Sequence, residues 1–134
     1  MGTPLRIDIV SDTVCPWCYV GKRHLESALA QRRELNIECH WQPFQLNPDM
    51  PMEGVDRKTH WRNKFGDDAK IKQMSQRLVE LGTTMALPFD FDAISRQPNT
   101  LKSHALLHWV EGDWERQNQL KERILSAFFM EGLD

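Results

Sequence analysis

Residues 5–18, LRIDIVSDTVCPWC, decide the fold because they join a strand pattern to a Cys-x-x-Cys motif. The segment LRIDIV alternates apolar and polar side chains, which is the period of a half-buried strand. From Tyr19 onward, the spacing of the apolar residues is typical of one face of an amphipathic helix; they are Val20, Leu25, Ala28, Leu29 and Leu35. The pattern therefore predicts that Cys15 and Cys18 lie where a strand ends and a helix begins.

Cys15 and Cys18 are the candidate catalytic residues, because the thiolate of such a pair carries out thiol–disulfide exchange. If the helix begins at Pro16, Cys15 occupies the N-cap, where free N–H groups and the helix dipole lower the pKa of a thiol. Cys18 then lies one turn inside the helix and is expected to be shielded and less acidic. Cys15 is therefore predicted to attack, and Cys18 to resolve the mixed disulfide.

Pro16 and Trp17 are the supporting residues of the motif. Pro16 suits the first helical position, where a backbone N–H has no helical partner. Trp17 is expected to shield the disulfide or to present a flat apolar surface to a substrate.

Two other interpretations of the motif are weaker. The two thiols could be buried core residues, but the strand–helix context argues against this. They could form half of a zinc site with His104 and His108, but the long gap in sequence is unlike that of compact zinc modules. No metal ligand is therefore assigned, and His104 is expected to pack or hydrogen-bond between helices. Cys39 is expected to be a small core residue.

The remaining sequence predicts an α/β fold with two regions. Alternation over 37–42 indicates a second strand, so residues 1–44 form a strand–helix–strand unit with parallel strands. Residues 45–134 begin with the proline-containing loop 47–54 and then read as helical. Capping residues and glycines place the helices over 56–66, 67–82, 99–112 and 113–132. The charged residues of 113–123 are expected to form a solvated face.

Size and charge limit the classes of function. The chain has 134 residues, of which 40% are hydrophobic, enough for one domain with its own core. A net charge of −2 with scattered Lys and Arg argues against binding to nucleic acid or to a membrane surface. No apolar run approaches the ~20 residues that span a bilayer, and no secretory signal is recognised, so a cytoplasmic location is expected. Three cysteines are too few for a disulfide scaffold.

Several blocks of sequence are similar to one family. Residues 8–22 (DIVSDTVCPWCYVGK), 41–48 (WQPFQLNP), 51–54 (PMEG) and 98–100 (PNT), together with His104, resemble the FrnE-like members of the DsbA family of thiol–disulfide oxidoreductases. The resemblance covers essentially the whole chain. It implies a thioredoxin-like fold with a helical insertion, and dithiol–disulfide exchange by Cys15 and Cys18 with protein or small-molecule thiols and without a cofactor.

The resemblance also implies an incomplete domain. Family members continue into a cis-proline loop, an antiparallel strand pair and a final helix, so a C-terminal truncation is expected. Pro88 and Pro98 fall in the helical insertion and do not fill the cis-proline position. The unpaired N–H and C=O groups of an open sheet edge can hydrogen-bond to another chain, so a homo-oligomer is predicted.

Three functions remain open at this point. The first is a thiol–disulfide oxidoreductase or isomerase. The second is a glutathione-dependent isomerase or transferase, because the related 2-hydroxychromene-2-carboxylate isomerases and kappa-class glutathione transferases share the architecture. That branch carries Ser where this chain has Cys15, which favours the first function. The third is a catalytically weak remnant that acts through association.

Overall fold

A strand–helix–strand unit forms the N-terminal part of the chain, as the sequence predicts. A computed structural model describes residues 2–134. Strand β1 (Leu5–Ser11) and strand β2 (Ile37–Pro43) flank helix α1 (Pro16–Ala30). The two strands pair in parallel over their whole length, from Leu5 opposite Ile37 to Ser11 opposite Pro43.

The start of α1 follows from its first residues. Cys15 is the N-cap, with an extended backbone (φ −97°, ψ 113°), and Pro16 occupies the first helical turn. The C-terminal end comes earlier than the apolar spacing suggests, since that spacing continues to Leu35. The helix ends at Ala30, and Leu35 is 44% exposed.

The rest of the chain is mainly helical, with one small ladder that the sequence pattern did not reveal. The helices are α2 (Arg57–Phe65), α3 (Asp68–Thr84), α4 (Leu101–Trp109) and α5 (Trp114–Glu131), with a short 3₁₀ turn at Phe91–Ala93. Strand β3 (Val55–Asp56) pairs antiparallel with strand β4 (Arg96–Gln97). Among residues 2–134, no helix combines the length and apolar character needed to cross a membrane.

Local capping signals account for several of these boundaries. Asp56 accepts a hydrogen bond from the N–H of Thr59 at the start of α2, and Asp67 accepts one from Ala69 at the start of α3. Gly66 ends α2 in the left-handed conformation, with φ 79°, where glycine has no steric penalty. These helix ends match the sequence prediction.

Contacts divide the chain into two units. The first contains the chain up to Leu46 together with Thr100–Ile124, and the second contains Asn47–Asn99 and Leu125–Asp134. The predicted division at 44/45 lies close to the observed boundary after Leu46. However, α4 and most of α5 pack with the strand–helix–strand unit, although the sequence placed them in a separate helical region.

The two edges of the β1–β2 sheet differ in the first unit. The Gln117 amide on α5 pairs with the backbone of β2, because its Oε1 accepts from the Trp41 N–H (2.8 Å) and its Nε2 donates to the Trp41 carbonyl (3.1 Å). That side chain therefore covers the outer edge of β2. Within residues 2–134, β1 pairs only with β2.

Aromatic rings form the core of the second unit. Phe89 stacks on Phe91 with 5.3 Å between ring centroids, and Phe129 meets both rings edge-on. The Asp90 N–H donates to the Phe129 carbonyl at 2.8 Å, which joins this segment to the end of α5. Gly82 of α3 lies directly against the cluster. The sequence predicts that α3 ends at Gly82, but the helix continues to Thr84. The glycine instead permits close approach of the Leu87–Phe89 segment.

Gly82→Ala is expected to destabilise the protein. A Cβ at this position would lie 2.3 Å from the Leu87 carbonyl oxygen and 2.6 Å from the Phe89 ring, so the backbone must shift, at a cost of roughly 1–3 kcal/mol. Gly21→Ala in α1 is the matched control, because its Cβ would meet no atom within 4 Å. That change should stabilise by about 0.5–1 kcal/mol. Urea unfolding of both variants checks the pair, and equal midpoints would contradict the packing argument.

Candidate functional site

Both motif thiols lie at the N-terminal end of α1. Cys15 is the N-cap and Cys18 is in the first turn, where its N–H donates to the Cys15 carbonyl at 3.1 Å. The two cysteines are free thiols, and each is partly exposed. Pro16 is buried, whereas the Trp17 side chain beside the thiols is 51% exposed. The motif therefore presents two sulfurs and an exposed indole at one helix end.

The two thiols hydrogen-bond to each other, so the pKa of each thiol depends on whether the other is protonated. This bond lowers the pKa of Cys18 to about 6; burial opposes the shift, while the Asp12 N–H and the Lys121 ammonium reinforce it. The same bond, together with burial, raises the pKa of Cys15, and the N–H groups of Trp17 and Cys18 act in the opposite direction. The first proton of the pair is therefore lost more easily than that of an ordinary thiol, and the second less easily. The expectation that Cys18 is shielded and less acidic than Cys15 stays a prediction, because the proton is shared within the pair.

Asp12 connects the loop that carries the motif to two other segments. Its Oδ1 accepts from the Thr13 N–H at 2.8 Å, and its Oδ2 accepts from the Leu46 N–H at 2.8 Å. Burial alone would raise the pKa of Asp12, which is 1% exposed. Hydrogen bonds from His104, Leu46, Thr100 and Thr13 outweigh burial and lower the pKa.

His104 of α4 completes the environment of this carboxylate. Its Nε2 lies 3.0 Å from Asp12 Oδ1 and 3.1 Å from the Phe44 carbonyl oxygen. Both partners are acceptors, so Nε2 carries a proton and donates to them. Close by, the hydroxyls of Thr13 and Ser103 are 2.8 Å apart. The sequence predicts that His104 packs or hydrogen-bonds between helices; it does hydrogen-bond, but its partners are a loop carboxylate and a loop carbonyl.

Lys121 of α5 lies beneath the end of β1. Its Nζ donates to Ser11 Oγ at 2.9 Å and lies 5.0 Å from the centroid of the Trp41 ring. The residue is 1% exposed, and burial lowers its pKa to about 8 although Cys18, Asp12 and Cys15 attract its charge. The expectation that the charged residues of 113–123 form a solvated face is wrong for this residue, because α5 turns Lys121 toward the sheet.

Glu122, the next residue on α5, contacts α1. It accepts from the Tyr19 hydroxyl at 2.9 Å and from Lys22 Nζ at 2.9 Å, and it also pairs with Arg23. Lys22 is 3% exposed and forms a second ion pair with Glu26. This network fixes α1, and hence the thiols at its first turn, against α5.

The remaining candidate ligands do not converge on the thiols. Cys39 is buried in β2, as expected, and burial raises its pKa. His108 is on the exposed side of α4 and pairs with Glu111 at 3.0 Å. In the part of the chain that the structure describes, no three His, Cys, Asp or Glu side chains are arranged to hold a metal ion.

Comparison with known proteins identifies the family to which this arrangement belongs. The sequence matches the DSBA-like thioredoxin domain over residues 6–134. The chain belongs to this family. It is 27% identical to a probable DsbA oxidoreductase from Streptomyces coelicolor, whose crystal structure superposes with a TM-score of 0.82 over 97% of this chain and 56% of that one. It is also 26% identical over 127 residues to the uncharacterised Bacillus subtilis protein YwbO, covering 95% of this chain and 58% of that protein.

Membership of the DSBA-like family confirms the mixed α/β, thioredoxin-like fold implied by the resemblance, and at family level it indicates thiol–disulfide oxidoreductase chemistry. The chain spans just over half the length of both relatives. Sequence reasoning missed Asp12 and Lys121, which act on the Cys18 thiolate, and Ser11, which accepts a hydrogen bond from Lys121. Asp12 and Ser11 lie within the motif block, which was a usable signal. The sequence contained no signal for Lys121, since only tertiary packing places it there.

Asp12→Asn is expected to destabilise this DSBA-like domain by roughly 1–3 kcal/mol, because an amide NH₂ replaces one acceptor among several donors. The folded-state pKa of Asp12 lies below its unfolded value of about 3.9. The contribution of the Asp12 carboxylate to the free energy of unfolding is therefore present at neutral pH and is lost as pH falls below about 4. The difference between wild type and Asp12→Asn should therefore shrink in acid. Urea unfolding from neutral to acidic pH measures it, with Asp49→Asn at an exposed position as control. A constant difference would contradict this account of Asp12.

Proposed function

We propose that the chain exchanges a Cys15–Cys18 disulfide with the thiols of proteins or small molecules. The observation that carries this proposal is the hydrogen-bonded pair of thiols at the first turn of α1, in which the first proton is lost at a lowered pKa. Thiolate is the reactive form of cysteine, so the pair is prepared for nucleophilic attack near neutral pH.

Cys15 is assigned the attack and Cys18 the resolution. Cys15 is outside the first turn, next to the exposed Trp17 side chain, and the Cys18 sulfur can take its proton through their mutual hydrogen bond. The Cys15 thiolate attacks a substrate disulfide, forming a mixed disulfide and releasing one substrate thiolate. Cys18 then attacks Cys15 Sγ and releases the second thiolate. Two electrons pass to the substrate, whose two released thiolates take up the Cys18 proton and one proton from solvent, and the reverse sequence oxidises a substrate dithiol.

The direction of electron flow depends on the reduction potential. A value near about −120 mV would make the protein an oxidant, and one near about −270 mV a reductant. We also propose a cytoplasmic, reducing environment, because the chain uses only three cysteines. The glutathione-dependent isomerase or transferase hypothesis has less support, since position 15 carries Cys. Glutathione is retained as one small-thiol substrate.

Cys15→Ser is expected to reduce insulin-reduction turnover to background, because no nucleophile remains to attack. Cys18→Ser should still attack once and should accumulate a mixed disulfide that mass spectrometry detects under non-reducing conditions. Cys39→Ala is the matched control, because this third cysteine is buried in β2, and it should retain activity. Glutathione disulfide in place of insulin distinguishes small from protein substrates. Wild-type activity in Cys15→Ser would refute the proposal.

We further propose that the chain self-associates through the outer edge of β1. Gln117 covers the outer edge of β2, whereas β1 has no second strand partner among residues 2–134. Two apolar side chains of β1 are exposed, Leu5 at 59% and Val10 at 63%. An open edge beside apolar surface favours pairing with another strand.

Val10→Lys is expected to shift the protein toward monomer, because a lysine at an edge strand opposes pairing between copies. Light scattering coupled to size-exclusion chromatography over a range of concentrations measures the change. Val79→Lys, at a site of α3 that is 39% exposed, is the control and should leave the mass unchanged. A wild-type protein that stays monomeric at high concentration would rule out the association.

A further inference from the structure

Two lysines are buried in the first unit, and only one of them has carboxylate partners. Lys22 Nζ lies 2.9 Å from Glu122 and also pairs with Glu26. Lys121 Nζ donates to the neutral Ser11 hydroxyl at 2.9 Å and faces the Trp41 ring. Within residues 2–134, no carboxylate forms an ion pair with Lys121. A buried ammonium without an anion is unfavourable, so this arrangement needs an explanation.

The nearest carboxylate is already engaged. Asp12 attracts the charge of Lys121, but its oxygens accept from Thr13, Leu46 and His104. These bonds are what hold the loop that carries the motif. Asp12 is therefore unable to turn toward Lys121 without leaving three donors unsatisfied.

The other anion that attracts the charge of Lys121 is the thiolate of the dithiol. Ser11 and Asp12 are consecutive residues at the end of β1; the hydroxyl of the first binds the ammonium, and the N–H of the second hydrogen-bonds the Cys18 sulfur. The ammonium and the Cys18 sulfur therefore each interact with the same two-residue segment, Ser11–Asp12. The charged or titratable groups that act on Lys121 are Cys18, Cys15 and Asp12, which attract it, and Lys22, which repels it.

We propose that Lys121 is the buried counter-ion of the reduced dithiol, so that its affinity for a proton follows the redox state of Cys15 and Cys18. The proposal deepens the function proposed above and rests on it. On reduction by two thiol groups, which become a disulfide, two electrons break the Cys15–Cys18 bond. One of the two thiol protons binds one sulfur, the other proton is released to solvent, and the second sulfur remains a thiolate opposite the Lys121 ammonium. On oxidation the thiolate is lost, and the ammonium keeps its proton less tightly. Lys121 is a positioning residue and does not contact the substrate.

Lys121→Met tests the effect of the ammonium on the thiols. In a Cys39→Ala background, which leaves only the motif thiols, ultraviolet thiolate absorbance is followed against pH. The midpoint should rise by about one unit or more, as expected when an opposite charge is removed from a thiolate. Lys121→Arg, which keeps a positive charge, should restore much of the shift. Lys102→Met is the control, since that lysine is exposed on α4 and its loss removes one positive charge without touching the network that fixes α1, and it should leave the midpoint unchanged.

The reciprocal measurement uses the unaltered side chain. If the ammonium favours the thiolate, the thiolate must favour the ammonium by the same factor. The titration of Lys121, followed by NMR of its side-chain carbon and assigned with Lys121→Arg, should therefore have a higher midpoint in the reduced protein than in the oxidised protein. This comparison remains decisive if Lys121→Met fails to fold.

The outcomes distinguish the counter-ion role of Lys121 from the proposed thiol–disulfide exchange. An unchanged thiolate midpoint in folded Lys121→Met, or equal Lys121 midpoints in the two redox states, would overturn the counter-ion role even if the wild type turns over insulin. A shifted midpoint in a protein without turnover would support the counter-ion role and contradict the proposed function. A shift of the same size in Lys102→Met would show a general effect of losing one positive charge and would also overturn the proposal.

Discussion

The carboxylate of Asp12 is the constraint on which the arrangement around the thiols depends. A buried carboxylate is tolerated only when hydrogen-bond donors surround it, and here the donors come from the motif loop, from the segment after β2 and from α4. Satisfying one group therefore holds three distant parts of the chain in place. The backbone N–H of the same residue also hydrogen-bonds the Cys18 sulfur. The residue that holds these three segments together therefore also stabilises a motif thiolate.

The parts of this structure that sequence could predict are those with short-range causes. The alternation in residues 5–10, the proline at the start of α1 and the capping aspartates each act within a few positions. Strand β1, the start of α1 and both ends of α2 follow from these signals and from Gly66. Lys121 and Gln117 could not be predicted in the same way. Both are polar residues on a strongly charged helix, a pattern typical of a solvated face, and only the packing of α5 against β2 buries them.

The same packing explains why the two edges of the small sheet behave differently. A glutamine amide has one acceptor and two donors, so Gln117 can bond the N–H and the carbonyl of one strand residue as a neighbouring strand would. A third bond to the Leu107 carbonyl, at 3.0 Å, holds that amide in position. Helix α5 thus ends the sheet on the β2 side with a single side chain, and pairing remains possible on the β1 side.

Lys121 and Glu122 are consecutive residues of α5 that have opposite charges and contact different elements. Their positions restrict where residues can be inserted in this helix. Gln117 and Lys121 are one turn apart on the face toward the sheet, while Glu122 reaches the tyrosine and cations of α1. A helix rotates by about 100° per residue, so inserting one residue between Gln117 and Lys121 would place a different side chain beneath the end of β1. The turn at 110–113, which precedes α5, has no such restriction. Related sequences should therefore differ in length in that turn and keep the number of residues from Gln117 to Glu122 fixed.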